Sequence, residues 1–365
     1  MNLFAILPRY IARRYLFTFC VNFIGIILLI FLVDFIEGNR RFGNVPGYTA
    51  EIGAILSILH LPAIIQISIP FVVLTSSIST LMGLNKKYEL VIARASGLSA
   101  WQFLLPLLFC NFVIGILVVT MLNPLGASAS RYADVLSQNN NLGQQSSIAS
   151  GQSNAPWIRQ STSEGSAILG GRSASENGSV LHQVTFLRFD TDNLMQDRIE
   201  AEKAILSDGF WQLKNVRIYQ GGTPVRNLVE FQVKTNLQAE FIEESFASAD
   251  SVSIFELTGK IDAANSFGLK VNVYSMKLHQ LIALPAFLVA MTMIAAMVSL
   301  TFVRFGQSLY AILGGILCGF LLYVTSELIT AFGEAGSVPP IVAAWLPVIV
   351  AVTIGTTVLL YKEDG

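Results

Sequence analysis

The chain has 365 residues, of which 53% are apolar and only 13% charged, about half the ~25% charged fraction of an average soluble domain. A soluble enzyme of this size is excluded on that ground, and a net charge of −1 offers no basic face for nucleic acid. The charges are also segregated, with 29 of the 47 lying between Asn123 and Lys277. The sequence therefore reads as a membrane protein with one large water-exposed insert. Cys20, Cys110 and Cys318 all fall inside apolar stretches, so no disulfide can staple the insert.

A helix needs about 20 apolar residues to cross ~30 Å of hydrocarbon, and six runs meet that length. The first is Tyr15 to Val33, bounded by Arg14 and Asp34. It is too long and too late for a cleaved signal peptide, and no small-residue cleavage site follows it. The second run lies within Ile52 to Asn85, which as one helix would be about 51 Å long. Bends are expected at Pro62 and Pro70, with the crossing part near Gln66 to Asn85.

An inside loop comes next, Lys86 to Ser99. Leu90, Val91, Ala93 and Arg94 have helical spacing, and Gly97 followed by Ser99 provides a stop and a new N-cap. The loop is expected to hold a short helix along the cytoplasmic face, at about 86–97. Two readings stand side by side: an interfacial anchor, or a knob that docks into a cytoplasmic protein. The third run lies within Ala95 to Ser130 and completes the first half of the membrane part.

After it, the polar Gly/Ser/Asn/Gln stretch Ser137 to Asn154 has too little apolar surface to order itself and reads as a linker. Runs with strand character follow at Pro156–Gln160, Ser166–Gly170, Val180–Asp190, Leu194–Asp208, Phe210–Gln220 and Pro224–Thr235, separated by turn residues such as Asn177-Gly178 and Gly221-Gly222. Ile199, Ala201 and Ile205 alternate with Arg198, Glu200 and Glu202, the pattern of a sheet with one dry face. An antiparallel β domain, jelly-roll-like, is expected. Its pattern fits a rigid spacer and a greasy groove for an amphiphile equally well.

Three further runs, Leu278–Val303, Phe305–Ser326 and Ala335–Tyr361, make the arrangement 3+3. The expected division is 1–126, 127–273 and 274–365. Short-loop Lys and Arg set the orientation. Arg9, Arg13, Arg14, Lys86, Lys87, Arg94, Arg304 and Lys362 lie on one side, against Arg40 and Arg41 on the other. Both termini are thus expected in the cytoplasm, and the insert in the periplasm of a Gram-negative cell.

The chain has little of the apparatus of catalysis. The single Gly-Lys pair, Gly259-Lys260, lacks the upstream glycine of a phosphate-binding loop. His60, His182 and His279 occur in no metal-ligand spacing. Asp34 and Glu327, near the external ends of spans one and five, fit solvated helix ends better than ion coupling. A membrane-anchored envelope sensor would need a cytoplasmic output domain, for which the inside segments are too short. A stand-alone secondary transporter would need paired intramembrane charges or broken inverted repeats, and neither is visible.

The inside loop also carries a resemblance. Tyr88 to Ser99, YELVIARASGLS, resembles the E-[LI]-x-x-[ML]-R-A-x-G-[MF]-S signature of the lipopolysaccharide export permeases, the LptF/LptG (YjgP/YjgQ) family of six-helix ABC-transporter subunits. Leu7 to Arg13 is similar to that family's opening L-x-R-Y-I-x-R. Ser253 to Leu257 with Tyr274, Leu278-His279 and Ala283 to Pro285 resembles its return into span four. Val338-Pro339-Pro340 with Leu346-Pro347 is similar to a motif more typical of the LptG branch than of the LptF branch. The likeness runs from end to end.

That resemblance implies a permease that extracts lipopolysaccharide from the inner membrane and passes it to a periplasmic β-jelly-roll bridge toward the outer membrane. Its implied partners are an LptF-like permease, an LptB-like cytosolic ATPase dimer and an LptC-like periplasmic protein. This chain would hold no cofactor, with ATP and Mg bound by the partner ATPase. Glu89, Leu90, Arg94, Ala95, Ser96 and Gly97 would seat the coupling helix in the ATPase, Glu89 and Arg94 making the polar contacts. Arg40 and Arg41 would face the phosphorylated lipid head group. Asp34 stands where LptG members carry lysine, and Lys277 lies at the external mouth, where a plain positive helix end is as good a reading as a binding role. Spans one and five would line the lateral entrance.

Overall fold

Six helices in the computed structural model are long and apolar enough to cross a membrane. The structure describes residues 3–45, 47–95, 97, 99–139, 157–162, 165–175, 180–190, 194–207, 209–220, 223–235, 252–267, 271–299 and 308–364. The chain divides into two compact units, Met1–Ala133 with Ala249–Gly365, and Asp134–Ser248.

In the first unit, α1 (Leu3–Phe42) and α2 (Ala50–Lys86) are followed by the short α3 (Glu89–Ala95). The third span begins as α4 (Ala100–Leu117), passes through a π-helical turn (Val118–Leu122) and goes on as α5 (Asn123–Asn139). After the insert come α6 (Ile254–Phe267), α7 (Val271–Ser299), α8 (Ser308–Glu334) and α9 (Pro340–Asp364). The bends expected at Pro62 and Pro70 do not interrupt α2, which is helical for 37 residues through both. In hydrocarbon an unwound segment would leave backbone groups unpaired, so neighbouring helices hold the helix together across a proline.

The spans are unequally covered. The most apolar window of α7 is 67% buried, against 11% in both α1 and α8. Thus α7 is the pillar of the bundle, and α1 and α8 keep most of their apolar surface turned away from the chain's own core. Phe287, Leu288, Met291, Ala295 and Ala296 of α7 meet Ile69, Val73, Leu81, Phe103, Leu104 and Val348 in one continuous cluster. The glycines of α8 are resolved into two roles. A Cβ on Gly315 would strike Ile78 Cδ1 at 2.9 Å and one on Gly319 would strike Leu74, whereas Gly314 faces open space. Gly315 and Gly319, four residues apart, let α8 lie close against α2, the small-xxx-small device of membrane helices.

The π-helical turn has a visible result. It delivers Asn123 to a position where its Nδ2 donates to Gln66 Oε1 at 3.2 Å and its Oδ1 accepts the Ile254 N–H at 2.8 Å. One amide thereby ties the third span to α2 and to the start of α6. α6 belongs with the membrane unit, its Leu257 packing with Val119 and Leu281, so the compact insert is narrower than 127–273.

The second unit is a six-stranded antiparallel sheet of β1 (Trp157–Thr162), β2 (Gly165–Ser175), β3 (Val180–Phe189), β4 (Met195–Ser207), β5 (Phe210–Gln220) and β6 (Thr223–Lys234) in order 1-2-3-4-5-6. Each expected run has its strand, and β2 continues five residues past the expected Gly170. The connections differ from a jelly roll, because among the described strands every spatial neighbour is also a sequence neighbour, an up-and-down meander with no Greek-key crossing. Phe186 and Trp211 meet edge to face at 6.2 Å in its core, and Arg188 Nε donates to Asp197 Oδ1 at 2.8 Å.

The simple alternation expected for β4 holds only as far as Glu202. Ile199 and Ala201 are buried, but beyond them Ala204 points inward and Ile205 is only partly covered. The same change of parity occurs at Gln183 in β3 and Asn215 in β5, both with left-handed backbone (φ 49° and 54°). These three residues lie in one row across the sheet, between the pairs His182↔Lys203 and Val184↔Ala201 and their β5 counterparts. Asn215 Nδ2 donates to Glu202 Oε2 at 2.5 Å along this row. The row creases the sheet, as bulges do, and an open groove of about 700 Å³ lies over it.

Close packing at one point of the bundle makes a direct test. A Cβ on the buried Gly115 would sit 2.5 Å from the Pro285 Cα, a backbone atom that cannot step aside. Gly115→Ala should cost about 1–3 kcal/mol as overpacking and lower the melting temperature of the detergent-purified protein. Gly314→Ala, with nothing within 4 Å, should leave it unchanged.

Candidate functional site

At the loop between spans two and three, α2 ends and the chain turns through Lys87 and Tyr88 with no glycine. Tyr88 takes the left-handed conformation itself, at φ 59°, a strained choice for a bulky side chain. Its N–H bonds back to the Asn85 carbonyl at 2.9 Å and its own carbonyl accepts from Ile92 at 3.0 Å, so the residue ends one helix and starts the next. On the far side Gly97 is left-handed at φ 84°. There the Ser99 N–H donates to Gln102 Oε1 at 3.3 Å as α4 begins.

Between these stops α3 has two faces. Leu90 (5% exposed) and Ala93 (9%) turn inward, Leu90 joining the bundle core. Tyr88 (60% exposed) and Ile92 (67%) turn outward. Glu89 is occupied within the chain. Arg14 Nη1 donates to its Oε1 at 2.9 Å, Tyr10 Oη donates to its Oε2 at 3.1 Å, and Arg14 Nη1 also reaches Tyr10 Oη at 3.1 Å. Arg94 lies within α3, Ala95 and Gly97 are exposed, and Ser96 falls outside the described residues.

Next along α1, the fully buried Tyr15 donates to Asn111 Oδ1 of α4. Asn111 Nδ2 donates to Thr292 Oγ1 of α7 at 2.7 Å, and Thr292 Oγ1 donates to the Leu288 carbonyl at 2.9 Å. All three side chains have 0% exposure. A buried polar chain in hydrocarbon fixes which faces of three spans meet.

At the other end of α1, Arg40 and Arg41 are exposed and share one carboxylate. Glu37 Oε2 lies 2.8 Å from Arg40 Nη2, and its Oε1 lies 3.6 Å from Arg41 Nη2. The three residues form a single exposed cluster at the helix end, two cations around one anion, with a net positive charge. Asp34 is turned to α2, with Oδ2 3.4 Å from His60 Nδ1. Lys277 and Glu327 are brought together on the lining of one cavity of about 90 Å³ among α2, α7, α8 and α9, which also exposes Gln66, Gln280 and Thr330. Among the described residues no cluster of His, Cys, Asp and Glu could hold a metal ion.

Sequence reading missed Tyr10 and Arg14 as partners of Glu89, although Tyr10 lies in the Leu7–Arg13 run that carries part of the family resemblance. It also missed Tyr88 and Ile92 as the outward face. The absence of glycine at the α2–α3 turn is the signal for a strained Tyr88. The pairing of residues 75 and 79 positions apart left none.

Six membrane helices interrupted after the third by an antiparallel sheet, with a short helix between spans two and three, define a multi-pass membrane protein of the permease class. The family model for the lipopolysaccharide export system permease LptF/LptG matches residues 9–362, and the chain belongs to that family. It is 23% identical over 363 residues to the lipopolysaccharide export system permease protein LptG of Escherichia coli K12, with 95% of this chain and 96% of the relative covered. The LptG of Escherichia coli O6:H1 is similar to the same extent.

The buried chain gives a testable consequence. Asn111→Leu removes the partner of Tyr15 and of Thr292 at once and should cost about 1–2 kcal/mol, read as a lower melting temperature in detergent. The double variant Asn111→Leu with Tyr15→Phe should recover part of that loss, because it no longer leaves the phenol orphaned.

Proposed function

We propose that the chain is the LptG-like permease half of an ATP-driven exporter that draws lipopolysaccharide out of the inner membrane and passes it to a periplasmic β bridge. The observation that carries this reading is the family match along nearly the whole chain, and two features suit such a machine: a short helix between spans two and three, and long apolar faces left uncovered on α1 and α8.

The physical demand is set by the cargo. At ~0.8 kcal/mol for each CH₂ brought into water, a single acyl chain of about a dozen carbons would cost about 10 kcal/mol. The cargo must therefore pass from bilayer to an apolar cavity and then to a dry groove. Phe17, Leu28 and Leu32 of α1 and Leu317, Phe320 and Leu328 of α8 are exposed apolar residues, suited to lining a lateral entrance shared with an LptF-like sister permease. The β unit, stacked on like domains of the sister and of an LptC-like protein, continues the path. Anionic phosphates on the head group call for guanidinium forks at the rim, and Arg40 and Arg41 supply them. In this reading both termini face the cytoplasm, the sheet faces the periplasm, and ATP with Mg is bound by an LptB-like ATPase dimer, which receives α3 through Tyr88 and Ile92.

Purification from mild detergent should bring down an ATPase and a sister permease. A kinase in their place would favour an envelope sensor, and the absence of any partner a lone carrier. Arg40→Glu with Arg41→Glu should weaken photocrosslinking to lipopolysaccharide about tenfold with the complex still assembled, and unchanged crosslinking would remove the head-group role. Tyr88→Asp with Ile92→Asp should release the ATPase, read as its loss from the purified complex.

A further inference from the structure

We propose that the crease across the β unit is a binding site for a neutral oligosaccharide, held on the polar face of the sheet by amide, carboxylate and guanidinium groups. The site belongs to this unit alone, so it stands or falls apart from the exporter reading.

Four strands are disturbed in one row. The pairs His182↔Lys203 and Val184↔Ala201 flank Gln183 and Glu202, and the pairs Lys203↔Lys214 and Ala201↔Val216 flank Glu202 and Asn215. Lys214↔Glu230 and Val216↔Leu228 flank Asn215 and Val229 in the same way. The ladder is thus interrupted at one level from β3 to β6, where a single bulge would disturb one pair of strands. Gln183 and Asn215 are left-handed at this level, and among the described residues only Tyr88 shares that state without being glycine. Backbone strain of this kind gathers at ligand sites. Gln183, Glu202 and Asn215 are exposed, while Val184, Ala201 and Val216 beside them are buried in the dry cluster. The crease therefore opens on the wet face, as a groove of about 700 Å³, within the size range of small-molecule sites.

The lining selects among occupants. An acyl chain needs an apolar wall, but Gln183, Glu200, Glu202, Asn215, Arg217 and Asn227 give this one polar groups along its length. A phosphate or an acidic sugar needs surplus cations. Here two carboxylates accompany one guanidinium, and Arg198 is already bonded to Glu200. An extended peptide adds to the edge of a sheet through backbone pairing, whereas this groove lies across the face. A neutral sugar meets all three conditions. Its hydroxyls both donate and accept, as do the Asn and Gln amides, while the carboxylates accept and the guanidinium donates. Leu228 and Val229, the latter 79% exposed, offer an apolar rest for the C–H face of a ring. Asn215 Nδ2 donates to Glu202 Oε2 at 2.5 Å, so the strained asparagine sets the carboxylate that a sugar hydroxyl would meet.

The test is calorimetric titration of the full-length protein, purified in a detergent without a sugar head group. Two glycans are used: a linear neutral glucose tetrasaccharide, and core oligosaccharide freed from lipopolysaccharide and stripped of phosphate. At least one should bind with a dissociation constant of about 1 mM or tighter. Binding of the first marks a free glycan as the occupant, and binding of the second alone marks the sugar end of a lipid-linked one. Glu202→Ala with Arg217→Ala should weaken binding about tenfold or more, whereas Glu202→Gln, which keeps an acceptor for Asn215, should stay within about twofold. Asn215→Gly keeps the left-handed backbone accessible without the amide. It should weaken binding about fivefold with the melting temperature no lower, a combination that a purely structural crease would not give. Binding of neither glycan, or variants that bind as the unaltered protein does, would overturn the site. So would tighter binding of the same core oligosaccharide with its phosphates kept.

Discussion

The structure of the membrane unit depends on the hydrogen-bonded chain Tyr15–Asn111–Thr292. Between apolar helices in lipid there is no hydrophobic gain in choosing one face over another, since the acyl chains are as apolar as leucine. Packing shape narrows the choice and a buried polar group decides it, because rotating any of the three helices by a residue would strand a phenol, an amide or a hydroxyl without a partner. Asn111 serves both neighbours, accepting from Tyr15 and donating to Thr292. With α1, α4 and α7 set by this chain, the remaining contacts are permitted rather than chosen: Gly115 against Pro285, and Gly315 and Gly319 against α2.

That arrangement makes α1 unlike the other spans. Near its start it is tied twice within two residues, by Arg14 to α3 and by Tyr15 to α4 and α7. Near its far end it meets α2 through Asp34 and His60, and the loop after it folds back through Tyr48, whose hydroxyl donates to Asn39 Oδ1 at 3.0 Å. Its middle carries most of its exposed apolar surface. A helix fixed at its two ends and bare along one side of its length is suited to presenting a surface to lipid or to another subunit.

Much of this was legible in the sequence because it is local. Six spans followed from charge-free runs, and the strands from alternation and turn residues. The Gly97 stop and the cap at Ser99 followed from the backbone needs of those positions. What was not legible arises between distant residues or from small departures in backbone. The change of parity runs through Gln183, Glu202 and Asn215, of which Gln183 and Asn215 are left-handed without being glycine, so simple alternation placed Ile205 inward where Ala204 stands. The prolines of α2 leave it helical throughout, in keeping with the cost of unpaired backbone in hydrocarbon. Glu89 read as an outward charge because helical spacing shows which residues share a face but not what that face meets, and Tyr10 and Arg14 lie a whole hairpin of helices away.

The two faces of α3 bear on an ambiguity that composition leaves open. A short amphipathic helix under a membrane is usually an interfacial anchor, and an anchor places its apolar side chains in the lipid boundary and its charges in water. Here the order is different. The apolar Leu90 is taken up by the bundle, the charged Glu89 is engaged by α1, and the described side chains that face outward include an aromatic ring on a strained turn and an isoleucine. Strain of this kind persists where the surrounding structure over-determines it, and it concentrates at clamps and switch regions. Tyr88 is held by the Asn85 and Ile92 backbone bonds on either side, so its position is set by the ends of α2 and α3 together. A short helix whose base is built into the bundle core through Leu90 is held by the protein itself rather than by the lipid boundary.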